Sequence, residues 1–146
     1  MNRRTIDLIL RENAETTTGV AKFGRGAKWH DNIDDVTHFP RVWIHDIRPT
    51  DTLNFHTLST KYLVIGELCK PIDFDADEDG TAFETILFEL TPVFQRFITN
   101  ISRDSRNKGI GEVRRVELIH KGDANLAGFG FSFTIAIKEE IAYQCL

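Results

Sequence analysis

The densest group of potential ligands in the chain is Asp75-Ala76-Asp77-Glu78-Asp79-Gly80. Alternating carboxylates followed by glycine match the opening of a calcium-binding loop, where the oxygens converge and the glycine permits a sharp turn. The match ends there, because the bidentate glutamate that closes such a loop would fall at Ile86, and Glu84 comes two residues early. An acidic turn leading into a helix also gains from the helix dipole with no metal present. A solvated turn over 73–80 therefore accounts for the pattern. His30, Asp34 and His38 would share one side of a helix, a spacing able to hold a transition metal. Asn32, Thr37 and Pro40 make that segment poorly helical, so a loop with ordinary surface histidines is expected.

Other constellations are weaker. His45-Asp46 superficially resembles the paired ligands of HD-type phosphohydrolases, but those enzymes are all-helical and this pair falls in an expected strand. Cys69 and Cys145 are too few and too far apart for a zinc box, and neither belongs to a Cys-x-x-Cys pair. They read as reduced, and as buried or incidental. No Gly-x-Ser-x-Gly elbow is present, and neither cysteine sits in a nucleophile signature. Gly24-Arg25-Gly26-Ala27-Lys28 lacks the spacing of a phosphate-cradling loop. No residue is nominated for catalysis and no cofactor is expected. The rival to a non-enzymatic reading is a metal-binding module or metal-dependent enzyme using the acidic turn 73–80 or the segment from His30 to His38.

The elements that must carry these residues follow from length and pattern. A chain of 146 residues with 41% hydrophobic content reads as a single domain over 1–146 that needs no disulfide or metal to stabilise it. No run is long enough to cross a bilayer, and the charged N-terminus leads into too short an apolar stretch for a secretion signal, so a cytoplasmic location and no membrane partner are expected. The formal charge of -4 and the pI near 5.7 argue against a phosphate-backbone binder, so no sequence-specific nucleic acid is expected.

Thr5 to Asn13 suits a short helix. Residues 14–40 lose periodicity and read mostly as a long loop ordered by a partner, with room for a short strand around Val20 to Phe23 that is not counted into the sheet. Arg41 to Ile47 and Tyr62 to Lys70 read as antiparallel strands joined by a wide polar loop. Thr81 and Glu84 form a Thr-x-x-Glu capping box at the start of a long helix. Phe83, Ile86, Leu87, Leu90, Phe94, Phe97, Ile98 and Ile101 form its buried stripe, and Pro92 should kink it. After a polar 102–111 loop, Glu112 to His120 and Leu126 to Lys138 form a hairpin. In the second strand Phe129, Phe131, Phe133, Ile135 and Ile137 alternate with Gly130, Ser132, Thr134 and Ala136, so one face is bulky and the other small. The expected fold is α+β in αββαββ order: a four-stranded, mainly antiparallel sheet packed on the long amphipathic helix, with a short N-terminal helix.

Charge is distributed unevenly along this order. Residues 73–89 hold seven acidic side chains and no basic one, whereas Arg103, Arg106, Lys108, Arg114 and Arg115 follow the helix. In a head-to-tail ring an acidic rim with Asp75, Asp77 and Asp79 could meet the neighbour's basic rim. Those eight residues are the candidate inter-subunit interface. Solvation of both ends, following the dipole preference, explains the same pattern without a neighbour.

Element order, length and the final hairpin with Phe129-Gly130-Phe131-Ser132-Phe133-Thr134-Ile135 resemble the tail-terminator and neck-ring (head-tail connector) proteins of tailed bacteriophages. The style of the sequence is also similar to virion proteins of crAss-like phages of gut Bacteroidetes. The likeness covers most of the chain but includes no motif that carries a functional residue across. It implies a non-enzymatic structural virion protein, assembled in the host cytoplasm as a homo-oligomeric ring that contacts portal, connector or tail proteins. An adaptor that binds a peptide along an exposed strand edge would use the same sheet.

Overall fold

The alternation read from the last strand organises the molecule, a computed structural model that describes residues 2–26, 39–54, 59–76, 79–121 and 125–138. In chain order the elements are α1 (Asn2–Thr16), β1 (Lys22–Arg25), β2 (Arg41–Asn54), β3 (Ser59–Pro71), a single 3-10 turn (Phe74–Ala76), α2 (Thr81–Arg103), β4 (Asn107–His120) and β5 (Leu126–Lys138). The strands form one sheet in the order β1-β2-β3-β5-β4. All neighbours are antiparallel except β1 and β2, which run parallel.

The expected four-stranded, mainly antiparallel sheet is thus corrected to a five-stranded mixed sheet. The added strand is only four residues long and contains Gly24, so its own pattern carries little strand signal. Neighbours make it a strand. Ala21 N–H donates to the Pro40 carbonyl at 2.8 Å, Gly26 N–H donates to the Ile44 carbonyl at 3.0 Å, and Trp43 Nε1 donates to the Gly26 carbonyl at 2.8 Å. The expected loop over 14–40 is corrected accordingly, since α1 runs to Thr16 and β1 begins at Lys22; residues 27–38 lie outside the described residues.

Strand ends also move. β2 continues past Ile47 to Asn54 and pairs Pro49 with Tyr62, while β1 covers only Arg41 to Ile44. Proline is tolerated where a strand has no second neighbour, which explains the extension. At α2 the capping box is not formed, because Thr81 is already the first helical residue. Gly80 occupies the cap in a left-handed conformation (φ 80°), and Asp79 Oδ1 accepts the Thr81 N–H at 3.1 Å. Pro92 lies inside the helix, and Thr91 Oγ1 donates to the Leu87 carbonyl at 2.7 Å in the turn before it.

Both helices cover one face of the sheet. Ile86, Leu90, Val93, Phe94, Phe97 and Ile101 of α2, with Ile6, Ile9, Leu10 and Ala14 of α1, pack on Val42, Ile44, Val64, Leu68 and the bulky row of β5. Phe131 is central, its ring centroid 5.3 Å from Phe94, 6.2 Å from Phe97 and 5.9 Å from Phe133. Burying each such ring contributes about 1.5–3 kcal/mol. Phe83, Leu87 and Ile98, expected in the stripe, flank it half-buried.

A polar hub ties α1 to the turn between α2 and β4. Asp104 accepts from Asn13 Nδ2 at 2.9 Å and from Arg106 Nε at 2.9 Å and Nη2 at 2.6 Å, and Arg106 Nη2 also reaches Glu12 at 2.8 Å. The Arg106 guanidinium, more than any other neighbour, holds the Asp104 carboxyl well below the usual carboxylate range. A depressed carboxyl stabilises the fold above the unfolded value and loses that contribution as pH falls through the folded value. Asp104→Asn should therefore lower stability by about 1–2 kcal/mol at neutral pH, with the gap from the parent closing below about pH 4. Urea denaturation across pH would check this, and a gap that widens in acid would contradict it.

Candidate functional site

The sheet face turned away from the helices carries the chemistry. Strand alternation puts Ile65, Glu67 and Cys69 of β3 on that face, because Val64 and Leu68 point into the core. Gly128, Gly130 and Ser132 of β5 share it, as do Arg114, Val116, Leu118 and His120 of β4 through their pairing with β5. A cleft of about 470 Å³ runs across this face, lined by His45, Ile65, Glu67, Arg114, Leu118 and Ser132 among others. Beside it Phe39, Cys69 and Leu126, with Leu118 against them, form a second, smaller apolar cluster.

Glu67 is 2% exposed and is the centre of the site. Its Oε2 lies 2.9 Å from His45 Nε2 and 3.0 Å from His120 Nε2, so both imidazoles converge on one oxygen. Carboxylate oxygens only accept, so the nitrogens donate. The other oxygen, Oε1, is buried with no hydrogen-bond partner among the described residues. Cys69 lies two residues further along the same face of β3. One ligand atom from each of Glu67, Cys69 and His120 falls within a group no wider than 4.8 Å. Burial pushes the Cys69 thiol up, the Glu67 charge pushes it further, and the Arg41 charge pulls it back. Arg41 is itself buried, its guanidinium 4.9 Å from the rings of both Phe39 and Trp43.

Local features bring these side chains together. At β2 the register passes from Ile44 opposite Gly66 to Asp46 opposite Ile65, leaving His45 as the extra residue of a bulge. The bulge lets two consecutive polar residues leave the core before Ile47 returns to it. His120 reaches Glu67 from β4 across the intervening β5, where the residues paired with Cys69 and Glu67 are Gly128 and Gly130. Glycine is required at 128: a Cβ there would lie 2.0 Å from the Leu68 carbonyl oxygen and 2.9 Å from Cys69 Cα.

The residues singled out from sequence fare differently. In the acidic turn, Asp75 N–H donates to Asp73 Oδ1 at 3.1 Å, and hydrogen bonds from Thr81 hold the Asp79 carboxyl below its ordinary value, so the Asp73 and Asp79 carboxylates serve the turn itself. Asp77, Glu78, His30, Asp34, His38 and Cys145 lie outside the described residues. Arg103 is exposed near the end of α2, Lys108 Nζ donates to the Ser105 carbonyl at 3.2 Å, and Arg106 belongs to the Asp104 hub. Arg114 and Arg115 face opposite ways, as consecutive strand residues must. Arg114 lines the cleft, while Arg115 lies over the rings of Phe129 at 4.8 Å and Phe94 at 5.6 Å on the helix side. The basic residues therefore do not form a single patch. His45 adjoins Asp46 in sequence, but Asp46 pairs with Arg48 and the partner of His45 on this face is Glu67.

The sequence offers Cys69 only as a reduced thiol, buried or incidental, and the structure finds it free and buried; Glu67 and His120 carry no signal as site residues. What signal the group has is Glu-x-Cys at strand spacing together with glycines on a neighbouring strand. Neither half says that β5 separates β3 from β4. Comparison of the chain with protein-family models and with curated protein sequences gave no match.

Gly128→Ala should destabilise the fold by about 1–3 kcal/mol through overpacking against β3. Gly109→Ala, at a position where an added Cβ meets nothing within 4 Å, is the control. Equal denaturation midpoints for the two variants would contradict the close approach.

Proposed function

We propose that the chain is a structural assembly subunit that acts by associating with copies of itself and with neighbouring proteins. In the reading that the sequence resemblance suggests, it is a virion component of the ring type found at the neck or tail of tailed phages, next to portal, connector or tail proteins. The observation that carries the proposal is the β4 edge. β4 is fourteen residues long, ends the sheet, and exposes the apolar side chains Val113, Val116 and Ile119. A long edge strand with exposed apolar side chains is a template for pairing with another chain. Register shifts at Asn107/Gly109 and Gly111/Arg114 interrupt its first half, which leaves Arg114 to His120 as the continuous stretch.

Two further features agree with an assembly role. Phe88 is exposed on α2, as is Leu8 on α1. The acidic turn and the basic C-terminal end of α2 are separated by the length of that helix, about 34 Å for its 23 residues at about 1.5 Å each. Opposite charges at opposite ends of one rigid element suit a heterologous contact, in which each subunit offers one end to the next. Within this reading Arg103, Lys108 and Arg114 keep an interface role, while Arg106 and Arg115 support their own fold.

Light scattering on the purified chain should show an oligomer whose population falls with salt. Val116→Glu, at a side chain 64% exposed, should shift it toward monomer by tenfold or more in dissociation constant with the circular dichroism spectrum unchanged. Arg114→Glu should weaken association most at low salt. A monomer at every concentration that captures no portal or tail protein would contradict the proposal.

A further inference from the structure

We propose that Glu67, Cys69 and His120 bind a borderline transition-metal ion of the zinc class, with His45 steadying the carboxylate through its hydrogen bond to Oε2 and the remaining coordination position turned toward the cleft. This goes beyond the assembly role and rests on different residues.

The donor set is the first argument. A carboxylate, a thiol and an imidazole meet within a group no wider than 4.8 Å. Ligands about 2.0–2.3 Å from a tetrahedral zinc ion stand about 3.3–3.8 Å from one another, so the cluster becomes a coordination sphere by small side-chain adjustments in which His120 gives up its hydrogen bond to Glu67 and presents an unprotonated nitrogen. Mixed nitrogen, oxygen and sulfur ligands select zinc, cobalt, nickel or copper; calcium and magnesium take oxygen ligands.

The second argument is independent of the first. Glu67 is 2% exposed, yet its Oε1 accepts no hydrogen bond from any described residue. A buried carboxylate oxygen without a donor is costly, and a coordinated cation is the partner that removes that cost. Among the described carboxylates of the acidic turn, Asp73 and Asp79 accept from nearby backbone N–H groups and Asp75 is exposed.

The third argument is support and access. Metal-bound carboxylates are themselves hydrogen-bonded by neighbouring groups, and His45 Nε2, 2.9 Å from Oε2, fills that role. His45 and Glu67 also line the 470 Å³ cleft, so an ion can arrive from solvent and keep a water, or accept a group from another chain, as its last ligand.

The untagged full-length chain, stripped with chelator under reducing conditions, is titrated with zinc by calorimetry and with cobalt by absorption spectroscopy. One equivalent should bind, and cobalt should give a sulfur-to-metal charge-transfer band with the strong visible bands of a four-coordinate ion. Cys69→Ser should abolish the charge-transfer band and weaken binding at least tenfold, and His120→Gln should weaken it at least tenfold. His45→Gln should weaken it less and leave the charge-transfer band in place. Substoichiometric binding with no sulfur band in the unaltered protein would overturn the proposal, and that reading needs no variant to fold. One equivalent retained by Cys69→Ser and by His120→Gln would place the ion elsewhere and also overturn it.

Discussion

Strand β5 sends Phe129, Phe131, Phe133, Ile135 and Ile137 to one side and Gly128, Gly130, Ser132 and Thr134 to the other, and the rest of the architecture follows from that asymmetry. The bulky row needs a cover, which Phe94 and Phe97 of α2 supply by meeting the Phe131 ring. The small row leaves the opposite face low enough for a histidine from β4 to reach a glutamate on β3. A period of two residues along one strand therefore separates a hydrophobic core from a chemically furnished cleft, with about 10 Å of sheet and packed side chains between the layers.

The two faces support different kinds of function. On the helix side Arg115 lies over Phe94 and Phe129, Lys70 pairs with Glu89 at 2.7 Å, and Asp104 with Arg106 closes the turn into β4, all of which hold the layers together. On the open side buried Glu67 and Cys69 and half-buried His45 and His120 lie beside an apolar cluster, with Glu67 and His45 lining a groove. The sheet's outer strand touches both. An assembly contact along Arg114 to His120 would lie next to the cluster, because His120 ends the strand. A neighbouring chain could then supply the last ligand to a bound ion, although association and metal binding rest on separate observations.

Much of the fold was legible in the sequence because it rests on long, strongly periodic segments. The stripe of α2 and the alternation of β5 each repeat over many residues, so single exceptions such as Pro92 do not hide them. β1 was not legible as part of the sheet: its four residues pair with Arg41 to Ile44, flanked by backbone bonds from Ala21 to Pro40 and from Gly26 to Ile44, and those depend on where β2 runs. The Thr81 capping box failed by one position, since Gly80 takes the cap and Asp79 supplies the acceptor. The candidate site was illegible for a topological reason. Glu67 and His120 are far apart in sequence, their strands are not neighbours, and the contact crosses β5, whose residues paired with Glu67 and Cys69 are Gly130 and Gly128.

The claim on which the functional account turns is that residues 114–120 of β4 are where this chain meets its neighbour. Amide hydrogen exchange followed from dilute to concentrated protein addresses it directly. The outward-facing amides between Arg114 and His120 should gain protection as concentration rises, while those of the helix-covered β3 remain unchanged. Equal exchange of that stretch at every concentration, with protection instead arising on α1 or α2, would contradict the account.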